Sequence, residues 1–374
     1  MRPNIGLEPL AAPSRGKMAL VMERRTETPI SLMLISPLIA VALTLISAAI
    51  MFALLGKDPV AALSTYFLDP LSDSWGLQEV AVKATPLVLI AVGLAVCYRA
   101  KVWNIGAEGQ FLFGAMAGGY IAIITHGSTQ GPWLLPVMLL VGAMAGACFA
   151  LIPALLRTRF GANEILTSLM LVYVAELLLD YLVRGPWRDP AGFNMPNSVV
   201  FEAEATLPLL MEGGRLNIGT PIMIAVVFAF MLLMGRTLKG FEIRLVGEAP
   251  RAARFAGFSE ARLIITVFMI SGALAGLAGV LEAAGTVKQL QPGISPGYGF
   301  TAIIVAFLGR LNPIGCLFAG IFIAITFIGG ENAQIMLRLP LDATRVLQGL
   351  LLFFVLACDS LLLYRFRLLR GAAA

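Results

Sequence analysis

The chain has 374 residues, of which 59% are hydrophobic and 13% charged, with 27 Lys and Arg against 22 Asp and Glu. A soluble domain of this length carries about 25% charged residues, so this composition excludes an ordinary soluble domain and points to a chain that crosses a membrane many times. The net charge of +5 is therefore read by where the basic residues lie relative to the bilayer, not as affinity for nucleic acid.

Residues 1–30 are mostly polar, contain proline and show no periodic pattern, which predicts a disordered cytoplasmic tail. A spanning helix takes about 20 mostly apolar residues. By that measure residues 31–365 form an all-α bundle of about ten spans, at 31–55, 80–98, 104–125, 133–156, 165–183, 220–235, 263–283, 298–310, 313–330 and 344–363, followed by a basic tail over 366–374. The runs 220–235 and 298–310 are short enough to tilt, extend or re-enter. With the N-terminus inside, ten spans place the C-terminus inside as well, and 19 of the 27 Lys and Arg residues then fall in inside segments. The positive-inside rule supports this orientation. The longest outside segment, 184–219, contains Pro186, Pro190, Pro196 and Pro208. A loop of that length serves either to dock an external partner or as a plain connector.

Four cysteines (Cys97, Cys148, Cys316, Cys358) lie far apart within apolar runs, and His126 is the single histidine. These imply neither disulfides nor a metal cluster. GAMAG occurs at Gly114 to Gly118 and at Gly142 to Gly146, and GALAG at Gly272 to Gly276. Each places two glycines on one helix face, which lets helices approach closely. The halves of the chain also echo each other: helix, Arg99, then Asn104-Ile105-Gly106 resembles helix, Arg310, then Asn312-Pro313-Ile314-Gly315. Internal repeats of this kind are frequent in transporters.

Ionisable groups inside spans need a reason. Glu108 and Gln110, in the segment that begins at Asn104, lie about a turn inside the third span, and Asn163 and Glu164 open the fifth. The bland reading is helix capping and pairing with nearby Arg near the cytoplasmic boundary. The sharper one places them at the inner gate of a pathway. Glu176 and Asp180 reach the outer interface near Arg184, and Glu282 and Lys288 bracket the outer end of the seventh span.

The stretch 236–262 interrupts two apolar runs with six Lys and Arg residues. Pro250 suits the first position of a helix and Gly257 its close, giving about two turns. It is too short to span and too basic for lipid, so it is expected on the cytoplasmic face, taking force from a partner. No G-x-x-x-x-G-K-[ST] loop, G-x-S-x-G elbow or H-E-x-x-H site occurs in the chain. A catalytic set is therefore not expected, and an active pump would draw its energy from a partner or an ion gradient.

WNIGAEGQ at 103–110, NEILTSLM at 163–170, AARFAG at 252–257, SGALAGLAG at 271–279 and YGFTAIIVAFLGRLNPIG at 298–315 together resemble bacterial ABC-importer permeases, closest to the nucleoside or simple-sugar group related to the branched-chain amino acid and ribose permeases. The resemblance implies a multi-pass inner-membrane subunit that is not itself an enzyme, importing nucleosides or similar small polar solutes by alternating access. A simple-sugar substrate is the first alternative, and an ion-coupled secondary transporter the second. The implied partners are cytoplasmic ATPase subunits that use ATP and Mg, a second homologous permease forming a heterodimer, an extracytoplasmic solute-binding protein, and lipid. Coupling to the ATPase would fall on Glu248, Pro250, Arg251, Ala252, Ala253, Arg254 and Gly257. In related importers the loop pattern reads E-A-A-x-x-x-G, and this chain has Arg251 where that pattern has Glu. Glu248 is the candidate replacement, and an ATPase surface that is itself acidic is the alternative.

Overall fold

The structure, a computed structural model, describes residues 18–24, 30–128, 131–211, 213–340, 342–362 and 364–370. It divides into two compact units. One holds residues up to Ser47 together with those from Leu350 onward, and the other runs from Ala48 to Gly349.

The first unit contains most of α1 (Ile30–Leu54), the end of α13 (Asp342–Leu362) and an antiparallel strand pair, β1 (Met18–Arg24) with β2 (Tyr364–Arg370). The register runs from Met18 opposite Arg370 to Arg24 opposite Tyr364. This differs from the disordered N-terminal tail and the plain basic C-terminal tail read from the sequence. A strand whose partner lies at the far end of the chain leaves no local signal, because neither half satisfies its backbone groups alone. Residues 1–17, 25–29 and 371–374 of the two predicted tails lie outside the described residues.

The second unit contains α2 (Pro59–Phe67), α3 (Ser74–Arg99), α4 (Ala107–Ile124), α5 (Leu134–Phe160), α6 (Glu164–Arg184), α7 (Gly219–Arg236), α8 (Leu238–Glu248), α9 (Pro250–Phe255), α10 (Glu260–Glu282), α11 (Tyr298–Leu308) and α12 (Pro313–Leu337), and then the start of α13. The residues of α3 from Ala84 to Tyr98 are apolar or small on every face, and the structure buries all of them. A helix without a polar face belongs at the centre of a bundle. By contrast α5, α6 and α7 expose Leu140, Met144, Tyr173, Leu177 and Phe228 on the surface a bilayer covers.

Around α3 the core is closed by α4, α5 and α10, which meet at glycines. A Cβ built on Gly114 would stand 2.2 Å from the Gly276 Cα, one on Gly146 2.2 Å from the Gly272 carbonyl oxygen, and one on Gly118 2.5 Å from Val280. Gly142 lies against the same Val280, and its carbonyl oxygen lies 2.3 Å from a Cβ built on Gly276. The order of these contacts makes α10 parallel to α4 and antiparallel to α5.

Eight of the described helices are long and apolar enough to cross a membrane, against ten read from the sequence. Of the other two, α11 has 11 residues and rises only about 16 Å, half a span. The second, α13, has 21 residues, but the side chains of its last four lie outside the description. The run 220–235 becomes the full-length α7. The short helix α2 has no counterpart in the sequence reading; Asp58 caps it by accepting from the Val60 N–H, and Pro59 begins it.

The two echoed segments share local geometry. Lys101 after α3 and Arg310 after α11 both adopt left-handed backbone, with φ of 55° and 53°. Asn104 then accepts from the Gly106 N–H and Asn312 from the Ile314 N–H. The two segments also touch, through Arg99 Nε donating to the Leu311 carbonyl at 2.8 Å. Arg99, Arg157 and α8 lie at this same end, which we call the basic end; the Gly247 Cα packs directly on the Arg99 carbonyl.

Candidate functional site

The chain does not enter α4 at the basic end of the bundle. After α3 it folds back along that helix without helical hydrogen bonding, and the Tyr98 hydroxyl donates to the Asn104 carbonyl at 3.1 Å. Asn104 reaches Ser271, at the middle of α10, to whose hydroxyl its Nδ2 donates at 3.1 Å. It also exchanges two hydrogen bonds with Gln110, Nδ2 to Oε1 at 2.9 Å and Nε2 to Oδ1 at 3.0 Å. Ile105 N–H donates to the Ser168 hydroxyl on α6. Asn104 is fully buried and Gln110 nearly so. A buried polar knot of this kind is stable only when each member has partners, and here each has. Asn104, Glu108 and Gln110 therefore lie deep in the bundle, a correction to the boundary position read from the sequence. Its cause is the non-helical return segment before α4.

A second short element arrives from the opposite end. The segment after α10 continues as a π-helical turn, Ala283–Val287, and Lys288 follows in left-handed backbone at φ 58°. The chain then descends through Gly293 and Gly297, both at positive φ, to start α11. Ser295 Oγ accepts from the Gly297 and Tyr298 N–H groups at 3.2 and 3.1 Å. The next N–H, from Gly299, donates to the Glu108 carboxylate. Only glycine fits there, because a Cβ on Gly299 would lie 2.2 Å from the Glu108 backbone nitrogen. Glu108 is thus in the first turn of α4 and on the N-terminus of α11 at once. Both helix ends present partial positive charge to it, which compensates a carboxylate that is 3% exposed.

Beside this junction is a cavity of about 250 Å³ lined by Glu108, Leu112, Glu176, Leu179, Asp180, Pro292, Gly293 and Ser295. Asp180 accepts both of its close contacts from Arg184 Nε, at 2.8 Å. The cavity is walled by carboxylates, one hydroxyl and two leucines, a lining suited to accept hydrogen bonds from hydroxyl or amine groups of a small solute.

The remaining predicted residues are placed elsewhere. Asn163 caps α6, accepting from the Ile165 N–H at 2.9 Å, and Glu164 pairs with Arg157. Both are at the basic end, away from the cavity. In the coupling stretch, Pro250 opens α9, Ala253 is buried, and Gly257 closes it at φ 82°. Arg254 pairs with Glu260 at 2.7 Å, while Arg251, Ala252 and Glu248 are exposed. The preceding α8 went unread in the sequence; Thr237 caps it by accepting from the Gly240 N–H. Phe255, at the tip, is 94% exposed. Sequence reasoning also missed Ser295 and Gly299, although Pro-Gly and Gly-Tyr-Gly around them marked a turn.

The segment 184–219 is held on the descending chain rather than standing free. Ser198 N–H donates to the Leu290 carbonyl, Phe201 N–H to that of Lys288, and Leu207 N–H to that of Ala284.

Residues 76–356 match the family described as branched-chain amino acid transport system / permease component. The glucose ABC transporter permease protein TsgB13 of Haloferax volcanii is 37% identical over 92% of this chain and 93% of its own. The guanosine ABC transporter permease protein NupP of Bacillus subtilis is 28% identical over 86% of this chain and 92% of its own. The nucleoside ABC transporter permease protein NupB of Lactococcus lactis is 28% identical over 85% and 89%.

Proposed function

The chain belongs to the permease-component family of branched-chain amino acid transport systems, a multi-pass membrane subunit of an ABC importer, and from that membership we propose that it conducts a nucleoside or sugar past the junction of α4 and α11. The observation that carries this reading is the meeting of two helix N-termini on one buried carboxylate beside a cavity. Discontinuous helices whose ends meet inside the membrane are how transporters build polar sites without exposing backbone to lipid. Glu108, Glu176, Asp180 and Ser295 accept hydrogen bonds from the hydroxyls of the solute as it passes. Acceptors spread over several groups, with no donor fork or closed clamp among them, suit a conduit, which must release what it receives.

The family implies a partner ATPase and a solute-binding protein. The finer assembly is part of the proposal: two cytoplasmic ATPase subunits hydrolyse ATP with Mg, a second homologous permease completes the pathway, and the binding protein delivers solute to the 184–219 side. ATP closure moves α9, through Pro250, Arg251, Ala252, Ala253, Arg254 and Gly257 with Glu248 beside them, and the bundle alternates between its two openings. The sugar reading stands beside the nucleoside one because the 37% identical relative is named for glucose.

Reconstituting the complex in vesicles and measuring uptake of labelled guanosine and labelled glucose separates the two. The expected result is saturable, binding-protein-dependent uptake of one, blocked by its unlabelled form. Uptake of neither, in vesicles whose ATPase is active, contradicts the proposed solute class.

A further inference from the structure

One set of charged groups has no part in the cavity. It lies where α3, α10 and α12 meet the start of α11. Glu282 of α10 is 5% exposed. Its carboxylate accepts from the Tyr298 hydroxyl at 3.2 Å and from the Thr286 hydroxyl at 3.2 Å, both neutral donors. Two cations lie on or against the same stretch of α3, Lys83 itself and Arg215, and Arg215 is tied to Glu79 at 2.9 Å. Lys83 pairs instead with Glu331 of α12 at 3.3 Å, and its ammonium lies 5.6 Å from the centroids of both the Tyr298 and Phe327 rings. That is within range of a cation–π contact.

Tyr298 therefore contacts both groups, its ring within cation–π range of Lys83 and its hydroxyl on Glu282. It is also the first residue of α11, and its neighbour Gly299 is held by Glu108. Any movement of α11 that opens the junction withdraws the Tyr298 hydroxyl from Glu282. A carboxylate stripped of a donor inside the bundle is costly unless a cation replaces it, and Lys83 is the cation already in contact with the ring that withdraws.

We propose that Lys83 is a positioning residue that exchanges partners during transport. It pairs with Glu331 while Tyr298 holds Glu282, and it takes Glu282 when the half-helix α11 withdraws. The exchange keeps the buried carboxylate compensated in both states, and so lowers the barrier between them. The inference rests on the reading of this chain as an alternating-access permease.

The test uses the reconstituted complex with Lys83→Met, Glu282→Gln, the double variant and Lys83→Arg. Lys83→Met strands Glu282 in one state only, so uptake at saturating binding protein falls by at least about tenfold. The double variant strands nothing and returns to within about threefold of the unmodified complex, the non-additivity that marks a direct pair. Lys83→Arg keeps most of the uptake. A double variant no faster than Lys83→Met overturns the exchange. Because these variants can fail to assemble, a second measurement takes the unfolding midpoints of the same variants at rest and after trapping with ATP and vanadate. Lys83→Met and Glu282→Gln are expected to be additive at rest and non-additive in the trapped complex; additivity in both states overturns the exchange. An unmodified complex without ATP-driven uptake counts against the transport reading, and the midpoints then decide the exchange by themselves.

Discussion

Glu108 collects more structural duties than any other single side chain in the cavity. It occupies the first turn of α4, accepts from the first free N–H of α11, and forms part of the cavity wall. Replacing it with alanine leaves the Gly299 N–H without a buried acceptor, and the expected cost is about 1–3 kcal/mol, read as a lower unfolding midpoint in detergent. Glu108→Gln keeps an acceptor and loses the charge, so the protein stays near its original stability while uptake falls. Equal stability loss in both variants would show that the charge, not the acceptor, holds α11. Glu108 was visible in the sequence as an intramembrane acid, but its depth was not. Residues 100–106 read as the ordinary edge of a span, and nothing local says that they turn back inward. Glu282 and Lys288 do bracket the end of the seventh span, as the last residue of α10 and the residue after the π-helical turn. What the sequence did not show is the Tyr298 hydroxyl on Glu282, a partner brought in by tertiary folding.

At the scale of elements, the glycine faces were legible because spacing alone puts two small residues on one side of a helix. Their mutual contact needed the structure. Gly276→Ala directs a methyl group onto the Gly142 carbonyl, and overpacking of this kind costs about 1–3 kcal/mol. Thermal unfolding of the purified subunit checks it, and an unchanged midpoint would mean that α4, α5 and α10 separate freely. The half-length α11 was legible as a short apolar run but not as a half-helix ending on a carboxylate. The stretch 236–262 yielded α9, because Pro250 and Gly257 are strong punctuation, yet hid α8, whose apolar and basic residues carry no clear stop. Reversing charge with Arg251→Glu and Arg254→Glu is expected to lower both solute uptake and solute-stimulated ATPase activity while the complex stays assembled. Arg254→Glu also breaks the pair with Glu260, so Arg251→Glu alone is the cleaner variant. Undisturbed coupling in that variant would remove α9 from the contact.

For the molecule as a whole, composition was decisive. A chain with 13% charged residues and repeated apolar runs is a membrane bundle, since helices satisfy their own backbone in lipid and runs of about 20 apolar residues suit helices rather than barrel strands. Motifs spread over most of its length then carried the family. The solute was not legible, because carboxylates and a serine at a conduit accept hydrogen bonds from any hydroxyl. The strand pair of the first unit was equally hidden, its two halves lying at opposite ends of the sequence. The central claim is that force enters from a partner ATPase and not from an ion gradient. Its most direct test is solute uptake in vesicles containing the whole complex, measured with ATP withheld and, separately, with ionophores that collapse every ion gradient. The account predicts uptake that stops without internal ATP and continues with the ionophores. Uptake that continues without ATP and stops with the ionophores would contradict it.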